Sequence, residues 1–329
     1  MMNRPPLAIQ TDSVPAPARA SAVAWDESPC PLCGSDADPG PPVLEAPDPL
    51  PPPKTGLMFA VVRCRRCALV FTNPRPSERA ITRFYPPDYE PHRRPRQPRR
   101  TRRARPLLAR LFGRPCAERR GALPWPGPGR LLDFGCGTGG FLKTMADRGW
   151  AVTGLDSCPG VIDAVRTGYG LPALVGSLPH PDLAPGSFDV VTMWHSLEHI
   201  HRPLELLREA FKLLIPGGKL VVATPNIESA PYRLFGPAWF GLDLPRHLTH
   251  FAPGTLTAML QAAGFRAAPV RQFRHSDWLR MSARRAAAVG AAGPFARLLQ
   301  WKPAARLAAW ACYLAGSSDC MVCVAERPA

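Results

Sequence analysis

A chain of 329 residues, 46% of them apolar, has the length and core for one large domain plus a small one. Its formal net charge of +16 is local: residues 91–120 carry twelve Arg, from Arg93 to Arg120, against one acid, Glu118 (net +11), leaving +5 for the remainder. No apolar run reaches about 18 residues and the N-terminus lacks an apolar signal segment, so neither a membrane span nor secretion is expected. A cytoplasmic location follows, and the ten cysteines then read as thiols or metal ligands rather than disulfides.

In chain order, residues 1–25 are Pro/Ala-rich and read as a disordered tail. Residues 26–75 hold two Cys-x-x-Cys pairs, Cys30/Cys33 and Cys64/Cys67, flanking a Pro-rich loop. Four thiolates at that spacing suit one tetrahedral Zn²⁺ in a structural role. Residues 76–128 form a helical and Arg-rich linker, with a short helical stretch over 77–85 and an apolar patch at 107–112. Arg supplies 36 of the 41 basic residues beside abundant Ala and Pro, which favours GC-rich coding bias over a dedicated polyanion site.

From residue 129 strands and helices alternate, which predicts an α/β domain to residue 329 with a mostly parallel sheet. The expected strands are 131–135, 150–156, 173–177, 188–194, 217–225, a sixth over 266–275 and a closing strand over 319–327. Expected helices cover 139–149, 159–168, 203–214 and 255–265, and the stretch 278–315 reads as helical. The last stretch, apolar and dotted with Arg, is either an interfacial surface for peripheral membrane contact or a helical insertion packed on the sheet.

The first strand runs into Asp133-Phe134-Gly135-Cys136-Gly137-Thr138-Gly139-Gly140. Glycines let a cofactor approach the backbone there, and the following helix start presents unpaired N–H groups. Asp156 ends the next strand 19 residues past Gly137, where an acid can accept hydrogen bonds from ribose hydroxyls. Nicotinamide and methyl-donor enzymes share these two features. Four segments in order decide between them: LLDFGCGTGGFL, VTGLD, FDVVTMWHSLEHIHRP and LLIPGGKLVVATPN. Together they resemble the class I S-adenosylmethionine-dependent methyltransferases, in particular the bacterial group of ubiquinone-biosynthesis O-methyltransferases and zinc-module-bearing sugar C-methyltransferases.

The resemblance implies a Rossmann-like seven-stranded sheet with its last strand antiparallel, and S-adenosylmethionine as cofactor. It implies that Asp133, Gly135, Cys136 and Gly137 face the methionine part, Asp156 with Ser157 the ribose, and Ser177 and Leu178 the adenine, with Trp194 beside them. Ser177 departs from the acid often found at its position. His199 is the favoured base, with Glu198, His195 and His247 as further catalytic candidates. Glu198 and His199 could also cap the next helix, and the His195, Glu198, His199 set could ligate a cation. In Trp239–Phe251, a segment similar to the group's D-x-P-R-H-L-x-H-F, Arg246 and His250 are candidates for acceptor binding. The alternative there is an internally bonded lid built on an Asp243–Arg246 pair. Tyr85 and Tyr89 resemble aromatic residues that cover the site. The expected partner is a small-molecule acceptor, a sugar or glycan precursor for which a nucleotide- or lipid-linked sugar is one form, methylated on oxygen or carbon. An RNA methyltransferase is the rival, but the Arg-rich arm lacks interleaved aromatics, so nucleic acid is not expected. A non-catalytic scaffold is a third reading, opposed by the intact glycine turn and Asp156.

Overall fold

The computed structural model describes residues 23–36, 39–50, 56–86 and 127–329. Residues 1–22 of the expected tail, the Arg-rich arm, the apolar patch at 107–112 and Tyr89 lie outside the described residues, while Trp25 at the end of that tail is part of a strand.

The N-terminal portion contributes β1 (Trp25–Asp26), β2 (Leu44–Pro47), β3 (Met58–Arg63), β4 (Val70–Thr72) and β5 (Arg75–Pro76). The two cysteine turns repeat one backbone design. Gly34 N–H donates to Cys30 O (2.9 Å), and Ala68 N–H donates to Cys64 O (2.9 Å). Gly34 and Ala68, each following the second cysteine of its pair, are left-handed at φ 66° and 61°. Glycine suits that region and alanine is strained in it.

The α/β portion runs β6 (Arg130–Phe134), α1 (Gly140–Ala146), β7 (Ala151–Asp156), α2 (Pro159–Tyr169), β8 (Ala173–Val175), β9 (Phe188–Trp194), α3 (Pro203–Leu213) and β10 (Leu214–Pro225). Then follow α4 (Ala230–Phe235), β11 (Thr249–His250), α5 (Pro253–Ala262), β12 (Arg266–Ala267), β13 (Arg271–Phe273), α6 (Ser276–Ala288), α7 (Pro294–Leu298), α8 (Lys302–Leu314) and β14 (Cys320–Glu326). The sheet order is β8-β7-β6-β9-β10-β14, with β12 and β13 both on the far edge of β14. β6 to β10 are mutually parallel and β14 is antiparallel to β10. One expectation is corrected: the sixth strand is two segments, so the sheet has eight strands and not seven. Ala268-Pro269-Val270 interrupts it, and a proline supplies no N–H to a ladder.

The central strands are buried on both faces, and alternate residues go to opposite layers. Leu132, Val191, Leu220 and Val222 pack under Leu206, Leu207 and Ala210 of α3 and Leu256 and Met259 of α5. Leu131, Val190 and Val221 pack under Phe141, Leu142 and Met145 of α1 and Ile162 and Val165 of α2. α3 shows the pattern behind this, with Glu205, Arg208, Glu209 and Lys212 on its outer side.

The cysteine-bearing portion is not a detached bead. β11 pairs antiparallel with β4, completing a four-stranded sheet ordered β11-β4-β3-β2. A third core cluster joins Phe59, Val61 and Phe84 to Trp239, Leu242 and Leu244 and to Leu279 and Ala283 of α6. Among the described residues no helix is long and apolar enough to cross a membrane.

His250 sits inside this joint. Its Nε2 lies 3.1 Å from Thr72 Oγ1, and that hydroxyl donates to His247 O (2.9 Å). Burial holds the imidazole neutral, with a pKa of about 3. An unfolded histidine takes a proton near pH 6.5, so stability is full above that value and falls as pH drops toward 3. The slope from this one group is about 1.4 kcal/mol per pH unit. Urea unfolding at pH 6.5 and pH 5 should show wild type losing about 2 kcal/mol more than His250→Gln; equal losses in both proteins would contradict the assignment.

Candidate functional site

β6, β7 and β9 end side by side at the carboxyl edge of the sheet, where ligands of open α/β folds bind. After β6 the chain turns through Gly135 and Gly137, at φ 70° and 51°. A Cβ on Gly135 would stand 2.6 Å from Ser196 Cβ, so glycine is required there by the neighbouring segment as well as by the dihedral. The Asp156 carboxylate accepts the backbone N–H groups of Gly137 and Cys158, both at 3.0 Å. Two of its roughly four lone-pair directions are thereby used and the others are open to a ligand. Asp133 is buried and accepts Thr192 Oγ1–H at 2.6 Å, so it braces β6 against β9. Ser157 and Ser177 are exposed on the two flanking turns, while Leu178 is buried. Burial raises the pKa of the Cys136 thiol, which stays protonated. Trp194 lies in the core with its ring edge-on to Phe141 at 5.3 Å. Asp156 and the backbone of the glycine turn thus stand at the strand ends, where an adenosyl ligand could be held, while Asp133 and Trp194 are packed into the sheet behind them.

The segment after β9 brings three histidines and a carboxylate together. Glu198 Oε1 is 3.5 Å from His195 Nδ1 and 4.0 Å from His247 Nε2. The rings of His199 and His247 meet edge to face at 4.6 Å. His199 Nδ1 is 3.1 Å from Arg246 O and 3.0 Å from Tyr85 Oη. A carbonyl can only accept, so the Arg246 contact favours the His199 tautomer with its proton on Nδ1, which leaves the lone pair on Nε2. His247 Nδ1 likewise donates to Gly241 O at 2.8 Å. Burial lowers the pKa of both rings, and His199 lowers that of His247 further. Both are neutral at pH 7. Burial also pushes the Tyr85 phenol well above its ordinary range.

His195 faces the other way, at the left-handed φ of 55°. Its Nε2 is 3.7 Å from Cys320 Sγ, and its ring is 5.8 Å from that of His275 and 5.1 Å from that of Trp278. Cys320 and His275 are 45 residues apart and 125 and 80 residues from His195; no local spacing in the sequence marks them as neighbours.

Two acceptor-binding expectations are corrected. Arg246 is fully buried, and all five of its N–H groups are engaged inside the protein. It pairs with both oxygens of Asp48 (2.8 and 3.1 Å) and both of Asp243 (3.0 and 3.1 Å), and donates to Phe84 O and Leu244 O. Burial opposes ionisation of Asp243, but Arg246 outweighs it and holds the carboxyl well below the usual range. The lid reading is the one the structure gives, with Asp48 as a member that sequence could not supply. His250, paired with Thr72 in β11, is likewise committed to the fold.

Sγ–Sγ distances of 3.4 Å for Cys30–Cys67 and 3.6 Å for Cys33–Cys64 are far beyond a disulfide bond. They are close to the roughly 3.7 Å edge of a tetrahedron of sulfurs about 2.3 Å from zinc. Burial raises the Cys30 thiol. Cys64, although desolvation acts upward on it too, is brought down to about 7 by the N–H groups of Cys67 and Arg66 and by its thiol neighbours. The four cysteines could therefore hold zinc. For the Arg246 hub, Arg246→Met should cost about 3 kcal/mol in urea unfolding, since it leaves the largely buried Asp48 carboxylate without this cation and Asp243 with Arg285, 3.6 Å away; a loss under about 1 kcal/mol would mean that the hub is not structural.

A family model described as a methyltransferase domain matches residues 96–270, more than half of the chain. The ubiquinone biosynthesis O-methyltransferase of Xanthomonas euvesicatoria pv. vesicatoria (strain 85-10) is 34% identical over 163 residues, 45% of this chain and 67% of that protein. Its counterpart from Xanthomonas axonopodis pv. citri (strain 306) is 34% identical over 167 residues, 46% of this chain and 69% of that protein. A solved SAM-dependent methyltransferase from Archaeoglobus fulgidus overlays 66% of this chain and 91% of its own at 22% identity, with a TM-score of 0.46. With the glycine turn, Asp156 and the sheet order already in place, the chain belongs to the methyltransferase-domain family and is an S-adenosylmethionine-dependent methyltransferase.

Proposed function

We propose that the chain methylates a small-molecule acceptor with His199 as the general base. The observation that carries this reading is the setting of His199: the Arg246 carbonyl lies 3.1 Å from its Nδ1 and favours a proton there, and burial lowers its pKa, which leaves an unprotonated Nε2 to take a proton at pH 7. S-adenosylmethionine, when bound, supplies a sulfonium methyl that needs no further activation. The work left to the protein is alignment, exclusion of water and removal of the acceptor's proton. Asp156 holds the ribose with its remaining lone pairs, and Asp133 fixes the turn whose backbone meets the methionine part. Ser157, Ser177 and Leu178 border the adenosine. Glu198, whose charge favours protonation of His199, stabilises the imidazolium that forms when His199 takes a proton, and His247, edge-on to His199, limits its motion. Tyr85 closes the site over His199.

For the acceptor we place a sugar or glycan precursor first, on the resemblance of the cysteine module and the His-rich segment to sugar methyltransferases. A hydroxylated aromatic is the second reading, favoured by the 34% identity to relatives named for ubiquinone biosynthesis. Because Arg246 is consumed internally, recognition of a phosphate would have to come from another residue. The four-cysteine cluster is proposed to carry a structural zinc.

Calorimetric titration should show S-adenosylmethionine binding in the micromolar range, weakened at least tenfold in Asp156→Ala. Failure of well-folded wild type to bind would overturn the reading. Once an acceptor is found by parallel screens of nucleotide sugars and hydroxylated aromatics, His199→Gln should lose about 10²–10⁴-fold in kcat with cofactor affinity kept. Because burial lowers the His199 pKa, the wild-type rate should be level above pH 6.5 and fall only in more acidic solution. A rate still rising steeply from pH 7 to 9 would assign the base to another group.

A further inference from the structure

We infer that His195, His275 and Cys320 form a second metal site, selective for a zinc-type ion and distinct from the four-cysteine cluster. The three candidate ligand atoms lie within 4.8 Å of one another. The His195 Nε2 to Cys320 Sγ distance is 3.7 Å, close to the roughly 3.6 Å expected between a nitrogen and a sulfur on one tetrahedral zinc. Two imidazoles and one thiolate suit zinc, and three ligands among the described residues leave a fourth position of the tetrahedron for a small ligand.

The surroundings are those of a ligand set and not of a chance contact. Where Nε2 of His195 points to the thiol, its Nδ1 points to Glu198, 3.5 Å away. A metal-bound imidazole characteristically directs its other nitrogen at a carboxylate, which fixes the tautomer and raises ligand basicity. The ring of His275 is stacked on Trp278 at 4.8 Å and 23°, and Trp278 also contacts the His195 ring. One rigid indole thus orients both imidazoles. His195 holds its position in a left-handed backbone, a conformation that persists where neighbours determine it and that concentrates at functional sites. Its own N–H remains bonded to Ala223 O at 2.9 Å, so the strain is built into the strand end.

The topology explains why the three residues meet. β9 ends at Trp194, so His195 leaves at the carboxyl edge. β14 runs antiparallel and begins at Cys320, which puts Cys320 at the same edge. β13 pairs Phe273 with Cys320, and His275 follows two residues on. The site adjoins Glu198 and His199. Granting the proposed methyl-transfer reading, its open position would take an oxygen of the acceptor and favour the deprotonated form of that oxygen.

The test is a zinc count on the full-length protein, equilibrated with Zn²⁺ alone and desalted. Wild type should hold two zinc ions per chain. Cys320→Ala and His275→Gln should each hold one, as should Cys30→Ser, and the ion retained in the first two should be that of the four-cysteine cluster. Glu198→Gln should keep both ligand sets but weaken the second ion about 10–100-fold in competition with a chromogenic chelator, which packing alone would not do. Unfolding curves and S-adenosylmethionine titrations on the same samples separate misfolding, and failure of the methyltransferase reading, from loss of metal. A single zinc in wild type that Cys30→Ser removes, or two ions retained in both Cys320→Ala and His275→Gln, would overturn the inference.

Discussion

The guanidinium of Arg246 is the point on which the described structure hangs. It bonds at once to the cysteine-bearing portion (Asp48), the segment over the site (Phe84 O) and the loop after β10 (Asp243, Leu244 O). A buried cation in this position is stable only because two carboxylates and two carbonyls surround it. The arrangement defines one geometry, since a slip of any of the three segments would leave a charge unpaired in a low-dielectric interior. Arg246 also supplies, from its backbone, the acceptor that favours a proton on Nδ1 of His199. The same residue therefore ties the architecture together and, through its carbonyl, touches the ring of the proposed base.

Around that hub, polar groups are concentrated at the carboxyl edge of the sheet, and the parallel strands explain why. Each of β6, β7 and β9 delivers its last residue to the same side, and antiparallel β14 delivers its first. Asp133, Asp156, His195 and Cys320 are brought together by direction of travel and not by closeness in sequence. At the opposite edge an open depression of about 470 Å³ is lined by Arg130, Ala146, Trp150, Val152, Thr153 and Pro172 among others, and neither the histidines nor Glu198 nor Cys320 reaches it.

What could be read in the sequence was whatever depends on short range. The glycine turn and Asp156 are linked by one β-α-β unit, so their spacing fixes their meeting, and Gly137 N–H does reach Asp156. The helices of the sheet layers were legible from 3.6-residue periodicity. The zinc-type cysteine pairs were legible because each turn is four residues long. The misses share one cause, namely partners distant in the chain. Arg246 reads as a free clamp until Asp48, 198 residues earlier, is seen beside it. His250 reads as a site histidine until β11 is found paired with β4. The split of the sixth strand is a lesser miss, since Pro269 was in view and its missing N–H is a local signal.

The glycine turn itself carries a constraint that a reading centred on the cofactor overlooks. Glycine-rich turns are explained by the room a ligand needs, yet a Cβ on Gly135 would first collide with Ser196, a residue of the protein. Ser196 stands between His195 and Leu197, at the start of the segment that carries Glu198 and His199, and its Oγ–H donates to Phe134 O at 3.1 Å. The cofactor turn and the segment of the proposed base are thus in direct contact, through a space that only hydrogen at position 135 leaves open. Alignment of a methyl donor with an acceptor tolerates errors of only a fraction of an ångström before the rate suffers. Packing the two segments against each other, without a flexible side chain between them, is a direct way for a fold to hold that alignment.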